Sequence, residues 1–221
     1  MRCFDNFRRG QKRERTTEER ITDRMLLLYL IKDAGIGLGK TKLQKLAYLS
    51  ELEMNVQGFK GLNFNFIKMP FGPFSSELEK ELETMTESNI LSGSGHKLTE
   101  VGKTILDNFQ HIIESNPVLI EKIQRINREY AQIPRDELVD IVHKMCNPIR
   151  PWLTIEDTQH GSYLLKRMKI WHEDRVFKLS QSDIASLEIY FDPDALESLR
   201  SSLSEAKTKP AVAFNEVPDC V

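Results

Sequence analysis

Two helix-forming segments, separated by a glycine-rich loop, constrain the fold most strongly. Residues 21–33 (ITDRMLLLYLIKD) carry apolar side chains at helical spacing, and residues 40–54 repeat this pattern. The loop between them, DAGIGLGKT at 33–41, ends in the Gly-Lys-Thr that is typical of a phosphate-binding loop. Such a loop also needs an earlier glycine, where this chain has Ala34, and it needs a preceding strand with several βαβ units. We therefore interpret the loop as a turn between two helices, the first of which ends at Gly35.

The order of the elements that follow indicates a winged-helix arrangement. A short strand is predicted over 63–69, broken by the Pro-Phe-Gly-Pro sequence at 70–73, and a helix with a capping box begins near Ser76. A strand-turn-strand over 90–98 then precedes another helix and would form the wing. We expect a mainly α fold with a winged-helix-like core, a short two- to three-stranded β element and additional C-terminal helices.

Differences in composition divide the chain into three regions. Residues 1–20 are charged and lack periodicity, which is typical of a flexible basic arm. Residues 21–174 are expected to form the helical domain, and residues 175–221 a strand-helix extension with a disordered tail. Up to Lys45, 12 basic and 6 acidic side chains give a net charge of +6, so the remainder carries −8. A basic head on an acidic body suits contact with nucleic acid or an acidic partner, although an arm of this kind is more often simply solvated.

Composition also restricts the cellular setting and the chemistry. No apolar stretch approaches the roughly 20 residues of a membrane span, and the N-terminus has no apolar signal core. The scattered thiols of Cys3, Cys146 and Cys220 indicate a reducing environment, so we expect a cytoplasmic protein that does not contact a membrane. His143 and Cys146 share a helix face, which by itself provides no oxyanion hole. We therefore expect no catalytic, cofactor-binding or metal-binding residues, and we expect the aromatic residues Trp152, Tyr163 and Trp171 to lie in the core.

In a winged-helix protein the third helix would be the recognition helix that contacts DNA. The charge of this helix argues against such contact. The helix over 75–89 carries five glutamates and a single lysine, and a phosphate backbone would repel it. DNA contact would instead use the basic arm and the second helix, because such arms enter minor grooves. The residues concerned are Arg8, Arg9, Lys12, Arg13, Arg15, Lys40, Lys42 and Lys45.

Three segments, KTKLQKLAYLSEL, NFNFIKMPFGPFSSEL and HKLTEVGKTIL, resemble the Panacea-domain family of SocA-like antitoxins. The resemblance covers roughly residues 21–172, and neither the basic arm nor the region after 174 matches it. It implies an intracellular antitoxin or adaptor that binds a cognate protein toxin and has no catalytic residues. The motif positions in this chain are Lys42, Leu43, Gln44, Lys45, Leu46, Tyr48, Phe71, Gly72, Pro73, Phe74, Leu98, Thr99 and Gly102.

Our leading hypothesis is a non-enzymatic protein-binding regulator, the antitoxin of a toxin–antitoxin pair. The alternative is a winged-helix transcription regulator that binds DNA through the basic arm and helix 40–54. The helix opened by Asp192 and Pro193 carries an apolar stripe of Leu196, Leu199 and Leu203. We predict that residues 184–205 contribute to an interface with a toxin or a second copy of this chain, while packing on the parent domain stays open.

Overall fold

The computed structural model describes residues 14–93, 95–169 and 172–208, and within these ranges the chain is mainly helical with one small sheet. The helices are α1 (Thr17–Ala34), α2 (Lys40–Val56), α3 (Ser76–Glu87), α4 (Glu100–Asn108), α5 (Gln110–Glu114), α6 (Pro117–Tyr130), α7 (Arg135–Lys144), α8 (Gln181–Tyr190) and α9 (Pro193–Thr208). The strands are β1 (Phe66–Met69), β2 (Gly72–Phe74) and β3 (Tyr163–Leu165). No helix in the described ranges is long and apolar enough to cross a bilayer.

The glycine-rich loop is a turn between α1 and α2, as the sequence predicts. A capping box starts α1, because the Thr16 hydroxyl accepts from the Glu19 N–H and the Glu19 carboxylate accepts from the Thr16 N–H. The helix ends at Gly35, which adopts a left-handed φ of 66°, and Gly39 precedes α2. The cap at Thr16 explains why α1 begins four residues before the expected start.

The sheet has the antiparallel order β2-β1-β3 and departs from the expected wing. The sequence 70–73, expected to break the strand, instead makes a tight hairpin in which Pro73 lies opposite Lys68. The third strand comes from Tyr163–Leu165, which the sequence analysis does not predict. Residues 90–98 contribute an isolated bridge between Leu91 and Leu98 rather than a strand of this sheet. The prediction of a mainly α fold with a short β element is confirmed, whereas the expected wing is not part of the sheet.

The centre of the core is α1. Its side chains Leu26, Leu27, Leu28 and Leu30 are all fully buried, although they point in different directions around the helix. A helix that is apolar on every side is stable only when other elements surround it. Helices α4, α6 and α8 pack against α1, and α6 also contacts α2.

The segment after residue 174 joins this same core. Phe177, Ile184, Leu187 and Phe191 are buried in the cluster that contains the α1 leucines, and α8 packs directly on α1. The predicted helix start at Asp192 is confirmed. Its carboxylate accepts from the Asp194 N–H at 3.0 Å and from the Ala195 N–H at 3.1 Å. Residues 209–221, predicted to form a tail, and residues 1–13 of the predicted arm lie outside the described residues.

Candidate protein-binding site

Two of the three motifs that carry the family resemblance bind each other. On α2, the Gln44 amide donates to the Ser75 carbonyl at 2.9 Å and accepts from the Ser75 N–H at 2.9 Å. The Lys45 ammonium donates to the Pro73 carbonyl at 2.8 Å. Ser75 in turn caps α3, with its hydroxyl accepting from the Leu78 N–H. Buried polar groups need such partners, so these motif residues fix the hairpin and the start of α3 against α2.

Several other motif residues also have structural roles. Gly72 has a φ of 88°, which side-chain-bearing residues rarely adopt, and an added Cβ would lie 3.2 Å from the His143 ring. The Tyr48 ring is fully buried and packs edge-on against Phe66 at 5.4 Å. Burial raises the pKa of the Tyr48 hydroxyl. The leucines Leu43 and Leu46 are fully buried, and Phe74 is half-buried.

Several charged side chains that the sequence analysis places on the surface form a buried network of ion pairs. Arg15 contacts the carboxylates of Asp23 at 2.8 Å and Glu81 at 2.7 Å, and Arg24 contacts Glu81 at 2.7 Å. Asp23 also accepts from the Asn63 N–H at 2.6 Å. Burial raises the pKa of Asp23 to about 7, although Arg15 and Asn63 favour the carboxylate. Arg15 is therefore an internal residue that joins α1 to α3.

A second part of this network is centred on Arg167, which follows β3. Its guanidinium contacts Glu19 at 3.3 Å and Glu77 at 3.1 Å, and Glu19 also pairs with Lys60 at 2.8 Å. The Arg167 N–H donates to the Asn65 side chain at 3.0 Å. Four segments that are far apart in sequence are thereby held together by charge-assisted hydrogen bonds.

Among the four predicted nucleic-acid contacts that the structure describes, three are engaged with other residues of this chain. Arg15 and Lys45 are buried or mostly buried, and Lys40 pairs with Glu79 on α3. Lys42 is half-buried, and it makes no ion pair with another described residue. The remaining predicted contacts, Arg8, Arg9, Lys12 and Arg13, lie outside the described residues.

In the described part of the chain, two groups of exposed apolar side chains include residues named in the sequence analysis, and the first lies on the sheet and the adjoining turn. The register places Phe74 and Tyr163 on either side of Ile67, on one face of the sheet. Phe71, at the hairpin turn, is 68% exposed. Trp152, in the turn after α7, is 78% exposed, so the expectation that Trp152 and Tyr163 lie in the core is wrong; Trp171 lies outside the described residues. The local sequence does not show that neighbouring elements leave Trp152 and Tyr163 exposed to solvent.

The second exposed surface is on α9 and includes the predicted partner-binding leucines. Leu199 is 43% exposed and Leu203 is 54% exposed, while Leu196 is half-buried. Helix α9 contacts α8, which is itself anchored on α1. We call Leu196, Leu199 and Leu203 the α9 stripe. The structure therefore brings the three leucines onto one terminal helix and leaves two of them accessible.

Within the described residues, His143 and Cys146 form no hydrogen bond with each other. His143 faces Lys68 rather than Cys146, and the Cys146 side chain is exposed. Across residues 14–93, 95–169 and 172–208, no group of three or more His, Cys, Asp or Glu side chains has the geometry of a metal site. No protein-family model matches the chain, and neither a curated protein nor a solved structure matches it significantly. The Panacea-domain resemblance thus stays a prediction from the motifs quoted above.

Proposed function

We propose that this protein is a non-enzymatic protein-binding regulator, the antitoxin of a toxin–antitoxin pair. The observation that carries the proposal is the exposure of Leu199 and Leu203 on α9. Contiguous exposed apolar side chains on a folded protein mark interaction sites, because leaving them in water is unfavourable. The motif resemblance supplies the more specific expectation that the partner is a protein toxin.

The position of the α9 stripe suits recognition by a groove on the partner. Leu196, Leu199 and Leu203 recur at intervals of three and four residues, which places them on one face of the helix. An amphipathic helix that buries such a face in a groove is a common mode of protein recognition. Because α8 is anchored by Ile184 and Leu187 in the core, α9 is held at a defined place on the body.

Co-expression with the product of the adjacent gene tests this proposal. The variant Leu199→Ser/Leu203→Ser should keep the melting temperature of the unchanged protein, since both side chains are exposed. It should lose co-purification with the toxin and protection against it. Interface leucines that contribute about 1–2 kcal/mol each would lower the affinity by 10-fold or more.

The matched control is Ser198→Ala/Ser202→Ala, which alters two exposed side chains of the same helix without removing apolar surface. This control should bind and protect normally. A neighbouring gene product that is harmless alone and never co-purifies would contradict the antitoxin proposal. If the leucine variant melts much earlier, α9 belongs to the core and the interface assignment is wrong.

A further inference from the structure

A surface cavity of about 400 Å³ lies where α1, α3 and the junction between α8 and α9 meet. Two largely buried apolar side chains, Ile21 and Phe191, border it. Most of the remaining lining is polar or charged and consists of Arg20, Arg24, Thr84, Ser88, Glu188 and Asp192. Small-molecule sites have volumes of this order and combine apolar walls with a few polar groups.

The charges that border this cavity are separated by element. Arg20 and Arg24 belong to α1 and form what we call the α1 wall, while Glu188 on α8 and Asp192, the capping residue of α9, form the α8–α9 wall. No oxygen of these two carboxylates lies within 4.0 Å of either guanidinium group in the described part of the chain. The α1 wall is therefore cationic and the α8–α9 wall anionic, and the two do not form ion pairs with each other.

Both walls keep hydrogen-bonding groups that no described residue uses. The Arg24 guanidinium donates from Nε to Glu81 at 2.7 Å and lies over the Phe191 ring at 5.3 Å, but its two terminal amino groups have no described acceptor. On the α8–α9 wall, one oxygen of Asp192 caps α9. Its other oxygen and both oxygens of Glu188 accept no hydrogen bond within the described residues.

Hydroxyl groups and a second arginine add to this unused capacity. Arg20 donates one long hydrogen bond, to the Thr17 hydroxyl at 3.4 Å, and its other donors have no described acceptor. Thr84 on α3 and Ser88, which caps the end of α3, border the cavity, and neither hydroxyl bonds a described residue. A hydroxyl can both donate and accept, so these groups suit either charge of a ligand.

We propose that this cavity binds a free α-amino acid with an apolar side chain. The ligand carboxylate would accept from the guanidinium groups of the α1 wall, and its ammonium group would donate to the carboxylates of the α8–α9 wall. Its side chain would cover Ile21 and Phe191 and remove their remaining apolar surface from water. A ligand with only one of the two charges would leave the opposite wall unpaired.

Occupancy of the cavity would connect α1 to the start of α9. Asp192 borders the cavity with one carboxylate and caps α9 with the same side chain. The bound amino acid would thus stabilise the attachment of α9, whichever partner the α9 stripe contacts. The site is therefore independent of the antitoxin proposal.

Isothermal titration of the full-length protein with L-leucine tests this site. We expect saturable binding of one leucine per chain. N-acetyl-L-leucine lacks the ammonium group and L-leucinamide lacks the carboxylate, so each should bind about 10-fold more weakly. Glycine keeps both charges but has no apolar side chain, and it should also bind more weakly than leucine.

Exposed residues of the two walls allow variants that leave the core unchanged. Arg20→Met and Glu188→Gln should each weaken leucine binding by about 10-fold while keeping the melting temperature of the ligand-free protein. The matched controls are Arg128→Met and Glu137→Gln, which remove exposed charges of α6 and α7 and should bind leucine normally.

Four outcomes would overturn the proposal. They are absence of saturable leucine binding, equal affinity for leucine and either one-charge analogue, equal affinity for leucine and glycine, and equal effects of a wall variant and its matched control.

Discussion

At the scale of single residues, Glu51 is the most unusual group in α2. It is fully buried, and one of its oxygens accepts from the Asn55 amide at 2.9 Å, while the other has no partner among the described residues. Burial, and then the negative charge of Asp23, raise the pKa of Glu51 well above its usual range. Glu51 therefore keeps its proton in the folded protein at pH values where the unfolded chain releases it.

Replacing Glu51 with glutamine should change how stability depends on pH. Below the unfolded pKa near 4.5, Glu51 is protonated in both states and contributes no pH dependence. As pH rises toward the folded pKa, only the unfolded chain loses its proton, so the free energy of unfolding falls. Glu51→Gln removes this loss and should gain about 1 kcal/mol or more relative to the unchanged protein between pH 5 and 8.

Urea unfolding at pH 5 and pH 8 measures this difference. Glu121→Gln is the control, because Glu121 is exposed on α6 and should leave the pH profile nearly unchanged. Parallel pH profiles for Glu51→Gln and the unchanged protein would show that Glu51 does not retain a proton on folding.

Residue-level features were predictable from sequence where the signal is local. The start of α9 follows from the sequence Asp192-Pro193, in which a capping side chain directly precedes a proline at the first helical position. The burial of Arg15 was not predictable, because its partner Glu81 lies 66 residues further along the chain. A charged residue in a basic run is normally solvated, and composition alone cannot identify a distant carboxylate.

At the scale of elements, Gln44 joins α2 to the start of α3. Gln44→Leu should destabilise the protein by about 1–3 kcal/mol, because it leaves the Ser75 N–H buried without a partner and removes one of the two donors to the Ser75 carbonyl, which still accepts from the Glu79 N–H. Thermal and urea unfolding measure the loss. Gln124→Leu is a suitable comparison, since its amide bonds the half-buried Tyr29 hydroxyl rather than backbone groups. A loss no larger than that of Gln124→Leu would refute the assigned role of Gln44.

Prediction of elements succeeded for the helices and for the strand within 63–69, which contains β1, but it missed β3. Helices α1, α2 and α3 have repeated apolar positions, and α1 and α3 also begin at side-chain caps, Thr16 and Ser75. β3 is three residues long and is stabilised by pairing with β1, from which almost a hundred residues separate it. So short a segment carries no period of its own, whereas residues 90–98, where the sequence predicts a strand-turn-strand, form only the bridge between Leu91 and Leu98.

At the scale of the whole molecule, the buried ion pairs around Arg167 connect α1 and α3 with the segment that follows β3. Arg167→Met would leave Glu77 without its cationic partner and Glu19 with Lys60 alone. Breaking one side of a buried pair commonly costs about 3–5 kcal/mol, so we expect a loss on the order of 3 kcal/mol in urea unfolding. Arg135→Met, which removes an exposed pair with Asp136, should cost less than about 1 kcal/mol. Equal losses for both variants would contradict the assigned importance of the network.

Because β3 lies late in the chain, the sheet can be completed only late during synthesis. The β1–β2 hairpin joins neighbouring residues and can close early, whereas Arg167 reaches Asn65 across 102 positions. Until that arginine has left the ribosome, Glu19 and Glu77 have no guanidinium to contact, and the third strand cannot pair. Nascent chains shorter than this point should therefore remain protease-sensitive around the hairpin, and the α9 stripe is translated only after the body that supports it is complete.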